Sequence, residues 1–296
     1  MKTILAVTFF FFLQFSLFAQ TIVGNLENFS RKMDPRDTLD DAFLNVHYRQ
    51  LIRKDKLFPE ELTESDMVLQ IGEQVSKYSN YRFLVNDSIM AEELRCPELN
   101  ITNILNQATM RTKNAGDRSV VIKNYPKGQY WVRVPVLLDK YIYMEREPVF
   151  DWIFTSDTLT VLGYLCKKAT CLFRGRYYTA WYAPDIPLSN GPWKFNGLPG
   201  LILKVEDADR DYSFECTALY SVDWKSPIYL SKRKKDIETT REKFRQAEKA
   251  AMSNPNAVIG NSGLITVPKG EKMVTKILPY NPIELEIGRA SCRERV

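Results

Sequence analysis

The stretch QYWVRVPV, Gln129 to Val136, alternates with the two-residue period of a β-strand. One face carries Tyr130, Val132, Val134 and Val136, and the other carries Trp131 and Arg133. Further strand candidates, KYIYMERE, DWIFTSD and TLTVLGYLC, follow at short spacing. Many short strands separated by turns predict a mainly β fold: a curved antiparallel sheet, or a partial or complete barrel.

Two helical segments interrupt this pattern. Before Gln129, AFLNVHYRQLIRKDKL (42–57), DMVLQIG and YRFLV are predicted strands, and Asp87 is predicted to cap a helix that Pro97 interrupts. A later helix is predicted from the capping box of Thr239 and Glu242, with Pro255 at its end. We expect residues 20–286 to form one mainly β domain with a small helical part.

Both ends of the chain differ from this domain. An early Lys2, an apolar run over 4–18 and the small Ala19 predict a signal peptide over residues 1–19. No second apolar run follows, so no transmembrane segment is predicted to remain after the signal peptide is removed. Residues 287–296, IGRASCRERV, can be encoded by a common sequencing adapter read in frame, which predicts an assembly artefact. A natural disordered tail is the alternative.

The charge of the remaining chain is small. The formal net charge is +5, and removing the leader and residues 287–296 leaves about +2 on residues 20–286. A domain of this size with so little net charge gives no reason to expect nucleic acid as a partner.

Four cysteines remain after the terminal residues are set aside: Cys96, Cys166, Cys171 and Cys216. In an exported protein this number allows three pairings. Cys171 with Cys216 is the candidate disulfide, as a bridge between neighbouring strands. Buried free thiols are the alternative.

A glycine-rich stretch, GPWKFNGLPGLILKVED, occupies residues 191–207. Its glycines and prolines predict two short strands joined by a tight structural turn at Gly197, Leu198, Pro199 and Gly200. Because no helix follows the glycines, the stretch is not predicted to bind phosphate.

An Arg–aromatic cluster is the best candidate for a ligand or partner surface. Read as one strand, CLFRGRYYTAW and the following Tyr182 place four residues of the cluster on one face, beside a turn that presents two more. These six residues are Arg174, Arg176, Tyr178, Tyr182, Trp193 and Lys194. Such a cluster is able to bind an anionic or planar ligand, or a protein. Cross-strand packing of long side chains is the alternative.

No catalytic or metal-binding pattern is evident. The single histidine, His47, is predicted to be a strand residue, and no nucleophile elbow, zinc or Walker motif is present. Turn aspartates are predicted to cap backbone groups, and EDADRD (206–211) lacks the glycine and glutamate of an EF-hand loop. We therefore predict no catalytic residue, metal or cofactor, and a non-enzymatic role; a carboxylate-based hydrolase is an alternative.

The stretch GYLCKKATCLFRGRYYTAWYAPDIPLSNGPWKFNGLPGLILKVED resembles the GLPGLI family of exported bacterial proteins. The hexamer at 197–202 is literal, and NPIELE (281–286) extends the resemblance. Cys166 fits the family pattern, whereas Cys171 and Cys216 depart from it. The resemblance implies an envelope protein of a Gram-negative bacterium, in the periplasm or at the outer membrane, with no settled activity.

These observations predict an exported binding or accessory protein. Because genes of the family often lie near TonB-dependent transport systems, an outer-membrane transporter or another envelope protein is the expected partner. The alternative is a periplasmic carrier that holds an apolar small molecule in a cavity of the sheet. No feature of the sequence specifies an oligomeric state.

Overall fold

The computed structural model describes residues 35–96, 100–223, 225–231, 235–261 and 277–285. The predicted signal peptide and the predicted artefact at 287–296 lie outside these ranges. Thirteen strands are described: β1 (Arg36–Arg53), β2 (Leu62–Gly72), β3 (Ser76–Asn80), β4 (Val120–Lys123), β5 (Gln129–Val136), β6 (Asp139–Arg146), β7 (Ile153–Val161), β8 (Tyr164–Phe173), β9 (Arg176–Ala183), β10 (Leu201–Asp207), β11 (Tyr212–Ser221), β12 (Pro227–Ser231) and β13 (Ile237–Thr239).

All thirteen strands belong to one sheet. Its order is β13-β6-β5-β4-β3-β2-β1-β11-β10-β9-β8-β7, and β12 pairs with the first part of β1. Every pair is antiparallel except β13 with β6, so the sheet is mixed. Among the described strands, the terminal strands β7 and β13 do not pair with each other. The mainly β prediction is confirmed, and the sheet is open rather than a complete barrel.

The helices are α1 (Tyr81–Glu93), α2 (Ile101–Thr112), α3 (Arg241–Ser253) and α4 (Pro255–Asn261). The prediction of a strand at YRFLV is wrong, because the Asn80 side chain accepts hydrogen bonds from the first turn of α1 and starts a helix there. Thr240 caps α3, one residue later than predicted, since Thr239 still belongs to β13. Pro255 begins α4, where its missing N–H costs nothing.

The two faces of the sheet bury separate cores. The larger core lies on the front face, which carries Tyr130 and Val132 of β5, and Phe244 of α3 stacks there on Tyr143 at 5.2 Å. A smaller back-face core contains Ile122 and Trp131. The alternation predicted for Gln129–Val136 is therefore confirmed.

The stretch predicted as one strand at CLFRGRYYTAW is a hairpin, which changes the faces of its side chains. Arg174 and Gly175 form the turn with positive φ angles of 47° and 85°. Phe173 pairs with Arg176 and Cys171 pairs with Tyr178, so all four share the front face. The interpretation of residues 171–181 as one strand is wrong because the turn reverses the chain, although Arg176, Tyr178 and Tyr182 share one face of β9 as predicted.

The candidate disulfide is absent from the structure. The described cysteines Cys96, Cys166, Cys171 and Cys216 are free thiols. Strands β9 and β10 lie between Cys171 on β8 and Cys216 on β11, so the two are not on neighbouring strands. Three strand spacings of about 4.8 Å each exceed the roughly 7 Å between Cα atoms that a disulfide spans.

Candidate functional site

The loop 184–200 between β9 and β10 packs into the front face of the sheet. Phe195 and Leu198 are fully buried, and the Phe195 N–H donates to the Pro192 carbonyl oxygen at 3.0 Å. Only the second of the two predicted strands forms, as β10. The stretch around Trp193 is instead a compact turn, in which this residue has a φ of 46°.

Two glycines of this loop differ in what they allow. A Cβ at Gly200, where φ is 156°, would lie 2.3 Å from the Ala183 carbonyl oxygen. At Gly197, where φ is 84°, the nearest atom to such a Cβ would be 3.6 Å away, on Trp152. The close approach of two backbones therefore requires glycine at 200, whereas at 197 only the positive φ favours it.

Lys123 holds one side of the loop. Its Nζ donates hydrogen bonds to Asn190 Oδ1 at 2.9 Å and to the carbonyl oxygens of Gly191 and Phe195 at 2.7 and 2.8 Å. Burial lowers the pKa of Lys123 to about 7, and the Glu147 carboxylate offsets only part of this effect. All three hydrogen-bond partners of this ammonium group are neutral.

Lys194 holds the other side through carboxylates. Its Nζ lies 2.5 Å from Glu145 and 2.6 Å from Glu284, and both carboxylates also pair with Arg174. Arg241 adds a further ion pair to Glu284 at 2.5 Å. Burial alone would raise the pKa of Glu284, but the surrounding cations outweigh it and hold this pKa well below its ordinary value. A carboxylate held in this way is a poor general base.

Arg176 is buried between two aspartates and the end of the described chain. It pairs with Asp207 at 2.7 Å and Asp211 at 3.0 Å, and it donates to Asn281 Oδ1 at 2.6 Å and the Pro282 carbonyl oxygen at 2.8 Å. These contacts fix the β8–β9 hairpin to residues 281 and 282.

Residues 277–285, here called the strap, lie across this cluster. The Tyr178 hydroxyl donates to the Ile283 carbonyl oxygen at 3.1 Å, and the Leu285 N–H donates to the Arg174 carbonyl oxygen at 2.9 Å. The Tyr212 hydroxyl donates to the Asn281 carbonyl oxygen at 2.6 Å. The strap therefore occupies the Arg–aromatic cluster that the sequence places on an open strand face.

The structure thus corrects the position of the six predicted surface residues. Four of them, Arg174, Arg176, Tyr178 and Lys194, contact the strap. Tyr182 and Trp193 lie in the front core. The strand face that carries these residues is not exposed, because the strap covers it. Their role in binding a ligand or partner stays a prediction.

A cavity of about 470 Å³ lies between the front face, α3 and the strap. Its apolar walls are Ile52, Val121, Val132, Val134, Pro135, Leu137, Tyr212 and Phe214 of the sheet side, Phe244 and Met252 of α3, and Leu278, Pro279, Pro282 and Ile283 of the strap. We call it the front cavity. The carrier alternative expects a cavity of the sheet, but its position was not predicted, because no local pattern shows that the strap spans this face.

The buried polar groups of the front cavity bond to one another. Gln50 Nε2 donates to Asp117 Oδ2 at 2.9 Å, and Tyr78 donates to Gln50 Oε1 at 2.8 Å. On the opposite wall, Arg245 pairs with Glu248 at 2.5 Å. Because these groups already have partners, the interior is suited to an apolar body rather than to a highly polar one.

Three aspartates, Asp207, Asp209 and Asp211, bring oxygen atoms within 4.8 Å of one another. Arg176 pairs with the first and third, and Lys56 pairs with Asp209 at 3.1 Å and Asp211 at 3.0 Å. The negative charge that a cation would need is thus matched by side chains of the protein.

A family model described as "Protein of unknown function (Porph_ging)" matches residues 174–204. The match runs from the β8–β9 turn through the 184–200 loop into β10, and it includes the GLPGLI hexamer. It is compatible with the GLPGLI resemblance, and membership of that family stays a prediction. No curated protein sequence matches the chain.

Two solved structures, titled as PNGF-II in the P21 and the C2 space groups, are similar to the chain at 12% and 13% identity, each with a TM-score of 0.44. Each match covers 69% of this chain and 32% of the PNGF-II chain, so this chain spans about a third of that protein's length. Similarity at this level carries no functional argument. The fold and the site together define a mainly β protein whose front cavity lies beneath the strap.

No helix within the described ranges has the length and apolar character needed to cross a membrane.

Proposed function

We propose that this chain is a ligand-binding protein of the bacterial envelope that carries a small molecule with an apolar body in the front cavity. The single observation behind this proposal is the cavity itself, about 470 Å³ in volume with mainly apolar walls. Small-molecule sites in proteins typically measure roughly 300–1,000 Å³ and combine apolar walls with a few polar groups.

The strap supports this proposal, because it lines the cavity on a side away from the sheet. Leu278, Pro282 and Ile283 supply apolar surface, while Asn281 and Glu284 anchor the strap to the hairpin below. A ligand in this position would contact three parts of the fold at once, which favours burial of most of its surface.

The experiment uses N-phenyl-1-naphthylamine, a neutral fluorescent apolar probe, with the purified full chain. Val134→Trp and Met252→Trp fill the cavity from the sheet side and from α3, and Leu172→Trp adds the same bulk at an exposed position of β8. We expect both cavity variants to weaken probe binding by at least about tenfold and the control to leave it unchanged.

Fatty acids and fatty alcohols added to the wild-type complex are expected to displace the probe. An unfolding midpoint for each variant shows that it is folded. Absence of probe binding to the wild type, or equal binding by all three folded variants, would overturn the proposal.

The envelope location rests on the apolar leader and on the GLPGLI resemblance. We expect the full chain, expressed in a Gram-negative host, to be released with the periplasmic fraction or to sediment with outer membranes. Recovery only in the cytoplasmic fraction with the leader still attached would contradict this location.

A second candidate is an accessory role beside an outer-membrane transporter, and the edge strand β7 favours it. Within the described sheet β7 pairs only with β8, and its residues 153–160 are exposed, including Ile153 and Phe154. An exposed edge of this kind accepts an extended segment of another protein as an added strand. The partner we propose is such a segment of an envelope protein, with apolar side chains facing Ile153.

Copurification of tagged chain from envelopes, compared with the exposed-site variant Ile153→Lys, tests this role. We expect an envelope protein to enrich with the wild type and to be lost with the variant. The same proteins in both samples and in an untagged control would rule it out.

A further inference from the structure

A second pocket, of about 130 Å³, lies on the back face of the sheet. Lys77 and Ser79 of β3 line it, flanking Tyr78, whose side chain belongs to the front core. Arg133 of β5 also lines it, whereas its neighbours Val132 and Val134 line the front cavity. Alternate residues of a strand point to opposite faces, so the sheet separates most of the two linings, and only Arg118 and Pro135 line both.

The charged side chains in the lining are mostly cationic. They are Lys77, Arg118, Arg133, Lys140 and Asp87. Two ion pairs match some of this charge: Arg36 lies 3.3 Å from Asp87, and Asp236 lies 2.9 Å from Arg133. The lining therefore carries an excess of positive charge after these pairs are counted.

Lys77 and Arg118 contribute to that excess. Within the part of the chain that the structure describes, neither forms an ion pair, and Lys77 Nζ makes a single hydrogen bond, to the Tyr229 carbonyl oxygen at 3.0 Å. An ammonium group has three hydrogens to donate, so two of them remain for a ligand. Burial lowers the pKa of Lys77 to about 8, with Asp87 raising it and Arg36 and Arg133 lowering it further, so the group is mostly charged at pH 7.

The Ser79 hydroxyl is an independent sign of a ligand. Ser79 is 6% exposed, and its Oγ has no hydrogen-bond partner among the described residues. Buried hydroxyl groups in folded proteins are nearly always bonded to protein, water or a ligand. Since Lys77 and Ser79 are two residues apart on β3, both present polar atoms on the same face of the sheet.

We propose that the back pocket binds a tetrahedral oxyanion, a phosphate or sulfate group, through the Lys77 ammonium and the Ser79 hydroxyl, with the exposed Arg118 also in its lining. The volume corresponds to about four water molecules at roughly 30 Å³ each, which suits such a group. Phe83, Leu84 and Trp131 supply apolar walls that strengthen charge-assisted hydrogen bonds by excluding water.

The oxyanion is either free in solution or the phosphate of a larger molecule whose remainder leaves through the pocket opening. Calorimetric titration of the purified full chain with inorganic phosphate, sulfate and glycerol 3-phosphate at pH 7 distinguishes these sources. Binding of the inorganic ions points to the free anion, and binding of glycerol 3-phosphate alone points to an esterified phosphate.

Three variants test the residues. We expect Lys77→Met to weaken binding by about tenfold or more and Ser79→Ala by about threefold, since each removes one donor to the anion. Lys167→Met removes one exposed lysine of β8, and we expect it to change binding less than twofold. Met252 lines the front cavity and not the back pocket, so Met252→Trp should leave anion binding unchanged.

Two results would overturn the inference. One is the absence of binding of all three anions to the wild type, which would mean that only water occupies the pocket. The other is a folded Lys77→Met variant whose affinity for the anion falls no further than that of Lys167→Met. Such a result would show that only the net charge of the protein matters.

Discussion

Lys123 of β4 buries its ammonium group against the 184–200 loop, and Lys194 of that loop buries its own against β6 and the strap, but their partners are of opposite kinds. Lys194 lies between the carboxylates of Glu145 and Glu284, whereas Lys123 donates only to neutral oxygens, two of them backbone carbonyls of the loop. The carboxylates and the nearby Tyr143 outweigh burial and raise the pKa of Lys194, while burial lowers that of Lys123 to about 7.

The difference shows that the partners of a buried lysine decide its response to pH. One side of the loop is fixed by charges that persist over the whole neutral range. The other side is fixed by an ammonium group that titrates near neutrality. The first side also carries the strap, through Glu284, so the front cavity depends on the ion-paired lysine.

The largest expected effect comes from removing the ion-paired lysine. Lys194→Met leaves Glu145 and Glu284 buried with fewer cations, and we expect a loss of about 3–5 kcal/mol in the free energy of unfolding. Urea unfolding at pH 7 measures it. Lys168→Met breaks an ion pair with the exposed Asp157 and should cost less than about 1 kcal/mol. Equal costs for the two variants would refute the contrast.

The backbone of the loop is the next test. Gly200→Ala places a Cβ against the Ala183 carbonyl oxygen, and we expect a loss of about 3 kcal/mol in unfolding free energy. Gly197→Ala meets only an ordinary van der Waals contact with Trp152 and should lose about 1 kcal/mol for its positive φ alone. Thermal unfolding of the pair checks the ranking, and the reverse order would show that the turn is placed incorrectly.

A pH series sharpens the comparison of the lysines. Between about pH 7 and the ordinary lysine value of 10.5, folded Lys123 binds fewer protons than the unfolded chain does, so its contribution to stability rises with pH. From pH 7 to 9 we expect the wild type to gain about 2 kcal/mol relative to Lys123→Met. Relative to Lys194→Met the wild type should show no such gain, because the raised pKa keeps Lys194 charged throughout.

Urea unfolding at both pH values measures these differences. If the difference in unfolding free energy between the wild type and Lys123→Met is the same at pH 7 and pH 9, this lysine does not titrate between these pH values.

The smallest expected effect concerns the strap. Tyr178→Phe removes the hydrogen bond to the Ile283 carbonyl oxygen and should cost about 1 kcal/mol. Tyr177→Phe alters an exposed hydroxyl on the same strand and should stay within about 0.5 kcal/mol of the wild type. Hydrogen exchange of strap amides should accelerate only in the first variant. Equal protection of these amides in both variants would show that the Tyr178 hydroxyl does not stabilise the strap.

Much of the sheet was predictable, because a period of two residues fixes which side chains share a face. Residues 129–136 follow that rule, with Val132 in the front core and Trp131 in the back core. The rule failed at Arg174 and Gly175, where two positive φ angles make a hairpin turn inside an apparently continuous strand. It also failed at 81–85, because one side chain, Asn80, starts a helix in a strand-like sequence.

The candidate site was less predictable, because it depends on contacts between distant segments. The Arg–aromatic cluster was found from its residue types, but its partners, such as the carbonyl oxygens of Ile283 and Pro282, lie more than a hundred residues away. Periodicity identifies a face and not what covers it. The front cavity follows from the strap position, for which the sequence contains no local signal.

Native mass spectrometry of the exported chain, purified from a Gram-negative host without denaturation, tests the central claim most directly. We predict one organic molecule bound per chain, released on denaturation, extractable into an apolar solvent and absent from folded Val134→Trp. A wild-type chain that carries no such molecule, even after incubation with a lipid extract of the host envelope, would contradict the proposal that the front cavity holds a ligand.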